Sequence, residues 1–196
     1  MRAHAFVMGE PEPPLVWVDL EMTGLDPDRC HVLEIATVVT DADLRVLEVG
    51  PDVVIHASED ALGTLSDWSR ETFAASGLLA RVRASPVTVR DAEQVTLAFL
   101  SRHTGPRLSP LCGNSIHTDR AFLRRWMPAL HDFLHYRNVD VSTLKEIVRR
   151  WYPGRFQPPP KASRHEARAD VLESIEELRY YRRTFFVAPD GAASAG

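Results

Sequence analysis

The stretch "PLVWVDLEMTGLDPD", residues 14 to 28, constrains the fold more than any other. Leu15, Val16, Trp17 and Val18 form an apolar run rich in β-branched and aromatic side chains, which reads as a buried strand. Two acids, Asp19 and Glu21, then stand where that run would continue. Residues i and i+2 of a strand point to the same side, so the two carboxylates project together while Val18 and Leu20 face the other way. Burying two like charges on one face is costly unless one is protonated, a basic partner is supplied or a cation is bound. Two acids at a strand's end suit a divalent cation with oxygen ligands. Taken alone the signal is weak, since an acid at the rim of a sheet is more often just solvated.

The rest of the chain reads as a mixed α/β domain. Strand 1 is expected at about 14 to 20, strand 2 in "HVLEIATVVTDADL" and strand 3 at about 45 to 56. The short connection "DADL" favours an antiparallel meander of these three. Helices then dominate: "SDWSRETFAASG", opened by a Ser cap and ended at Gly77, and "TVRDAEQVTLAFLSRH". Two strand–helix units follow, "PLCGN" before "SIHTDRAFLRRWMPALHDFL" and "YRNVDV" before "STLKEIVRRWY". After a Pro-rich loop comes "EARADVLESIEELRYYRRTF", with Ala167, Val171, Ile175 and Leu178 on one stripe. Three antiparallel meander strands plus two parallel strands predict a mixed sheet flanked by helices. Residues 1–13 and 187–196, rich in proline or in small residues, read as disordered extensions of a domain over 14–186.

Composition narrows the function classes. With 196 residues the chain fits one domain that needs no staples. Two cysteines, Cys30 and Cys112, make neither a disulfide framework nor a zinc spacing, so a reduced, cytoplasmic protein is expected. No signal peptide and no membrane span are expected, because no apolar run is long enough. The net charge of -4 is unevenly spread: residues 1–119 hold 9 Lys+Arg against 18 Asp+Glu, and residues 120–183 hold 14 against 8. An acidic half and a basic half suit a site that takes both cations and a polyanion, although two solvated faces would look the same.

Two further acids reinforce the first pair. Asp119, in "GNSIHTD", begins a helix after a short strand, where ligand sites of open sheets gather. Alone it would be read as a partner of the helix dipole. Asp170, in "RHEARAD", is polar beside the apolar Val171 and Leu172. His165 precedes it by five positions, about 500° of helical rotation, so His165 is read in the preceding loop.

"DLEMTGLD", "GNSIHTD" and "HEARAD" together resemble the Asp-Glu, Asp, His-x4-Asp pattern of the DEDDh 3′→5′ exonucleases. "WVDLEMTGLDP", "LEIATVVTDADL", "CGNSI", "HYRNVDVSTLKE" and "ELRYYR" resemble the oligoribonuclease group among them, over about residues 14 to 186. The resemblance implies an RNase H-like fold, a homodimer, and hydrolysis of very short RNA, above all dinucleotides, to mononucleotides. It implies two divalent cations, Mg²⁺ or Mn²⁺, held by Asp19, Glu21, Asp119 and Asp170, with His165 as general base. The chemistry agrees, since a metal pair stabilises an in-line displacement and a His titrates near neutrality.

For the substrate, the resemblance makes Leu25 a wedge against stacked bases and Trp68 an aromatic platform for a terminal base. It makes Arg137, Ser142 and Ser115 a cap on the 5′ phosphate, and Tyr136 a side chain reaching over from a partner subunit. Each has a plainer alternative: a loop contact for Leu25, core packing for Trp68, an N-cap for Ser142, a surface charge for Arg137. Phe73, Thr118 and Ala169 depart from the family pattern, where a His, a Gln and an acid are usual, and Phe73 is expected to change a polar contact near the substrate. Three rivals remain: a DEDDh exonuclease for longer strands, a non-catalytic dinucleotide-binding module, and a calcium-binding structural protein. "HYRNVDVST" opposes the first, the five filled positions oppose the second, and the absence of an EF-hand spacing opposes the third.

Overall fold

The computed structural model describes residues 12–159 and 166–186. Five strands form one sheet: β1 (Leu15–Met22), β2 (Val32–Thr40), β3 (Val46–Val54), β4 (Leu111–Gly113) and β5 (Asn138–Asp140). Their order is β3-β2-β1-β4-β5. β1 pairs antiparallel with β2, and β2 with β3, as the "DADL" turn requires. β4 and β5 run parallel to β1 on its other side. This is the mixed sheet that the sequence predicts.

Among the described residues eight α-helices connect and cover the strands: α1 (Glu59–Leu62), α2 (Asp67–Ala75), α3 (Leu78–Ala84), α4 (Val89–Leu100), α5 (His117–Trp126), α6 (Pro128–Phe133), α7 (Val141–Trp151) and α8 (Ala167–Phe185). Strand alternation decides which helix meets which residue. Val16, Val18 and Leu20 face one layer, where they pack with Phe99 of α4, Phe122 and Leu123 of α5 and Leu130 of α6. Trp17, Ala36 and Val38 face the other, against Val148 of α7 and Val171, Ile175 and Tyr181 of α8. Asp19 and Glu21 belong to the Trp17 face, so the sheet presents them to α8. Trp17 is fully buried and its indole N–H donates to Thr40 Oγ1 at 3.0 Å. β4 lies so close to β1 that a Cβ at Gly113 would stand 2.9 Å from the Val18 carbonyl oxygen, which only glycine permits.

Several element boundaries differ from the expectation. Gly77 ends α2 in a left-handed turn (φ 77°) but also starts α3, whose Leu78, Leu79 and Val82 close a third apolar cluster with Phe73. The helix expected over 115–134 is two helices, broken at Met127. Pro128 cannot donate to the helical ladder and pushes the residue before it out of the α region, here to φ -135°. α7 is capped by Asp140, which accepts from the Ser142 N–H at 2.9 Å, so Ser142 is the second residue of the helix and not its cap. Among the described residues no helix is long and apolar enough to cross a membrane. The expected extensions, 1–13 and 187–196, lie outside the described residues apart from Glu12 and Pro13.

Candidate active site

Three of the predicted acids meet. Asp19, Glu21 and Asp170 each bring a carboxylate oxygen within 4.8 Å of the others. β1 supplies the first two from neighbouring pleats of one face, and a register shift between Glu21 and Met22 marks an irregularity in the β1–β2 ladder beside the acids. Asp170 comes from the first turn of α8, which lies across that face. Asp119, in the first turn of α5, arrives from the opposite layer around the end of β1. It is buried, and its Oδ1 accepts the Leu20 N–H at 3.0 Å.

Burial first, and the neighbouring carboxylates after it, leave Glu21 and Asp119 reluctant to ionise. Glu21 is pushed up from 4.5 to about 8, first by burial, then by the charges of Asp170, Glu34 and Asp119, against a smaller pull from Arg81. Burial raises Asp119 to about 7, opposed by backbone N–H donors including that of Leu20. A donor set of carboxylate oxygens alone, converging from two strand positions and two helix starts and short of positive charge, fits hard divalent cations. His165 lies outside the described residues.

Sequence reasoning missed Glu34 and Arg81. Glu34 sits opposite Glu21 in the β1–β2 register and is buried at 1% exposure. Arg81 of α3 reaches it with an Nη1–Oε1 distance of 2.7 Å, and the Ala167 N–H at the start of α8 points to Oε2 at 3.4 Å. Arg168 pairs with Asp52 of β3 at 3.3 Å, a second tie between the start of α8 and the sheet. A signal for Glu34 was present, since it interrupts "VLEIA" as Asp19 interrupts its own strand.

The predicted substrate residues fall into separate groups. Leu25 is 78% exposed in the loop after β1, and Trp68 is 62% exposed on α2, so Trp68 is not a core residue. Ser115 and Ser142 are brought together with Oγ atoms 3.1 Å apart. The Ser115 N–H also donates to Ser142 Oγ and to Asp140 Oδ1, which fixes a left-handed turn at Ser115 (φ 50°). Asn114 anchors this pair from behind, donating to Ser174 Oγ at 2.8 Å and Glu177 Oε2 at 3.2 Å while accepting from Ser142 Oγ. Tyr136 and Arg137 are exposed and linked, Nε donating to the tyrosine oxygen at 3.2 Å. Arg120, one residue after Asp119, holds their loop through the His135 and Arg137 carbonyls, another contact not foreseen. Phe73 is buried in the third apolar cluster, so a polar contact there is replaced by packing. Thr118 and Ala169 are half-buried beside Asp119 and Asp170.

A family model described as an RNase T-type exonuclease matches residues 16–178. An oligoribonuclease of Shewanella loihica is 51% identical over 179 residues, covering 91% of this chain and 99% of its own. One from Burkholderia lata is 50% identical over 182 residues, covering 93% and 88%. Among solved structures, E. coli exonuclease I with a bound oligonucleotide superposes with a TM-score of 0.65 at 16% identity, over 88% of this chain and 41% of that one. That likeness is one of fold, the RNase H-like mixed sheet, and this chain spans about two fifths of that neighbour's length. With the exonuclease model matched from the acid-bearing strand into the helix of Asp170, and half its residues shared with oligoribonucleases along most of their length, the chain belongs to the oligoribonuclease family of exonucleases.

Proposed function

We propose that this enzyme removes nucleotides from the 3′ end of dinucleotides and other very short RNA, releasing 5′-mononucleotides. Membership of the family makes it a 3′→5′ exoribonuclease, a hydrolase acting on short RNA through divalent metal ions. The observation that carries the site assignment is the convergence of Asp19, Glu21 and Asp170 within 4.8 Å, with Asp119 beside them. These four would hold two Mg²⁺ or Mn²⁺ ions. Bound there, the ions supply Lewis acidity and positive charge at the scissile phosphate. In this reading His165 accepts the proton of the attacking water as the P–O3′ bond breaks.

Substrate length is set by the other residues. Leu25 wedges between the bases and Trp68 stacks on one, a contact worth about 1–3 kcal/mol. The hydroxyls of Ser115 and Ser142 and the Arg137 guanidinium receive the 5′ phosphate, so a longer strand collides with them. Tyr136 completes the site across a homodimer in the cytoplasm, and residues 14–186 form the exonuclease domain. The test compares a 5′-phosphorylated RNA dinucleotide with a longer oligomer in Mg²⁺ or Mn²⁺, with Asp119→Ala as the inactive control. Fast metal-dependent loss of the dinucleotide alone is expected, and Arg137→Ala should slow it while barely changing cleavage of the longer strand. Preference for the longer strand, or uniform loss in Arg137→Ala, would contradict the cap.

A further inference from the structure

We propose that Trp126 is a positioning residue for base recognition: it holds the loop of residues 23–31 so that Leu25 stands at a fixed height beside the acid cluster. The proposal rests on the wedge role given to Leu25 above. Both ends of the loop are tied together. The Thr23 N–H donates to the His31 carbonyl at 2.9 Å, and the His31 N–H returns to Thr23 Oγ1 at 3.0 Å. The Thr64 hydroxyl bonds Thr23 Oγ1 from outside. Inside the loop, the Asp26 carbonyl accepts from Cys30 at 2.8 Å, and Gly24 lies so close to Cys30 that a Cβ would stand 2.7 Å from its sulfur. These contacts close the base of the loop but leave its tip to be placed from elsewhere.

Trp126 supplies that placement. Its indole N–H donates to the Pro27 carbonyl at 3.1 Å, a bond that spans 99 positions of sequence. Its ring lies 5.0 Å from that of His31. The guanidinium of Arg125 sits over the same indole at 4.8 Å and pairs with Asp28 at 3.5 Å. The position of Trp126 on α5 gives these contacts their meaning. It follows Asp119 by seven residues, which is nearly two whole turns, so both lie on one face, about 10.5 Å apart along the axis. Asp119 grips the end of β1 through the Leu20 N–H, and Trp126 grips the loop that continues from β1. α5 therefore acts as a rigid spacer between the acid cluster and the exposed Leu25. An apolar side chain 78% exposed on a braced loop meets a base without first having to be ordered.

The test is a double-mutant cycle with Leu25→Ala, Trp126→Phe and the pair together, measuring KM and kcat for a 5′-phosphorylated RNA dinucleotide in saturating Mg²⁺. Phenylalanine keeps an aromatic ring against the core and removes the indole N–H together with the second ring, so the melting temperature is recorded beside KM. Each single change should raise KM, by about three- to tenfold for Trp126→Phe, the range of one net hydrogen bond, with kcat nearly unchanged. In the Leu25→Ala background Trp126→Phe should add nothing. An equal rise of KM in both backgrounds, or a fall in melting temperature with KM unmoved, would overturn the positioning role while leaving Leu25 as the wedge. Leu25→Ala with an unaltered KM would overturn the wedge and, with it, this inference.

Discussion

Glu21 holds an uncomfortable charge, and its discomfort is measurable. Its carboxyl rises from 4.5 to about 8 and that of Asp119 from 3.8 to about 7, both chiefly through burial. Groups raised in the folded state favour folding below their unfolded values, and that contribution is lost as pH climbs from about 4 to about 8. A divalent cation competes for the same oxygens and relieves the same repulsion. Mg²⁺ or Mn²⁺ should therefore raise the melting temperature clearly more at pH 8 than at pH 5, and more for the wild type than for Asp19→Asn. Equal shifts at both pH values, or in both proteins, would mean that the cluster does not take up the metal. The sequence made this site partly legible. Asp19 and Glu21 betray themselves because carboxylates interrupt an apolar strand at a spacing of two. Asp119 and Asp170 do not, since acids are ordinary in the first turn of a helix, and only the resemblance singles them out. Glu34 gives the same signal as Asp19 but alone and mid-strand, and its partner Arg81 lies 47 positions away, a pairing that no local pattern contains.

Asn114 joins three elements at one point. From the end of β4 it bonds Ser142 on α7 and both Ser174 and Glu177 on α8, and the last two are buried. Ser174 in turn donates to the Asp170 carbonyl at 2.8 Å, so the junction braces the helix turn that carries a predicted metal ligand. Asn114→Ala removes a donor from each of those buried groups, although Ser174 keeps the Asp170 carbonyl and Glu177 keeps the Tyr181 hydroxyl and Lys145; the loss should cost about 1–3 kcal/mol and lower the melting temperature by about 3–10 °C. Calorimetry can set this against Asn138→Ala, which removes an exposed contact with Arg120 and should change little. A small loss in Asn114→Ala would mean that water takes over its bonds. Of the elements that Asn114 ties together, α8 was readable from its apolar stripe of Ala167, Val171, Ile175 and Leu178, and β4 and α7 from the two strand–helix units. Their ends were less so. α3 follows α2 across a single left-handed glycine, and the break at Met127 comes from its neighbour Pro128 inside an otherwise unbroken helical pattern. The side chain that caps α7 is Asp140, which the sequence reading assigned to a strand.

Charge and apolar surface are both unevenly spread over the molecule. The acidic residues 1–119 supply Asp19, Glu21 and Asp119, while the basic residues 120–183 supply Arg137 and, through α8, Asp170. The proposed metal ligands thus come from both halves of the chain, and the cation proposed for the phosphate comes from the basic one. Aromatic side chains also collect where α7 and α8 end. Trp151 is 70% and Phe186 56% exposed, and the rings of their sequence neighbours Tyr152 and Phe185 lie 5.2 Å apart. An exposed apolar patch of this kind marks an interaction surface, and the homodimer proposed for this enzyme accounts for it. Sedimentation should then give twice the 22.0 kDa chain mass, and Trp151→Glu should shift it toward the monomer. Dinucleotide cleavage should fall with dissociation, because Tyr136, itself 74% exposed, would no longer reach across to a second site. Tyr136→Ala separates the two effects: it should leave the dimer whole and still weaken cleavage. A fully active Trp151→Glu monomer would show that one chain carries a complete site, and Tyr136 would then act, if at all, on its own phosphate cap beside Arg137.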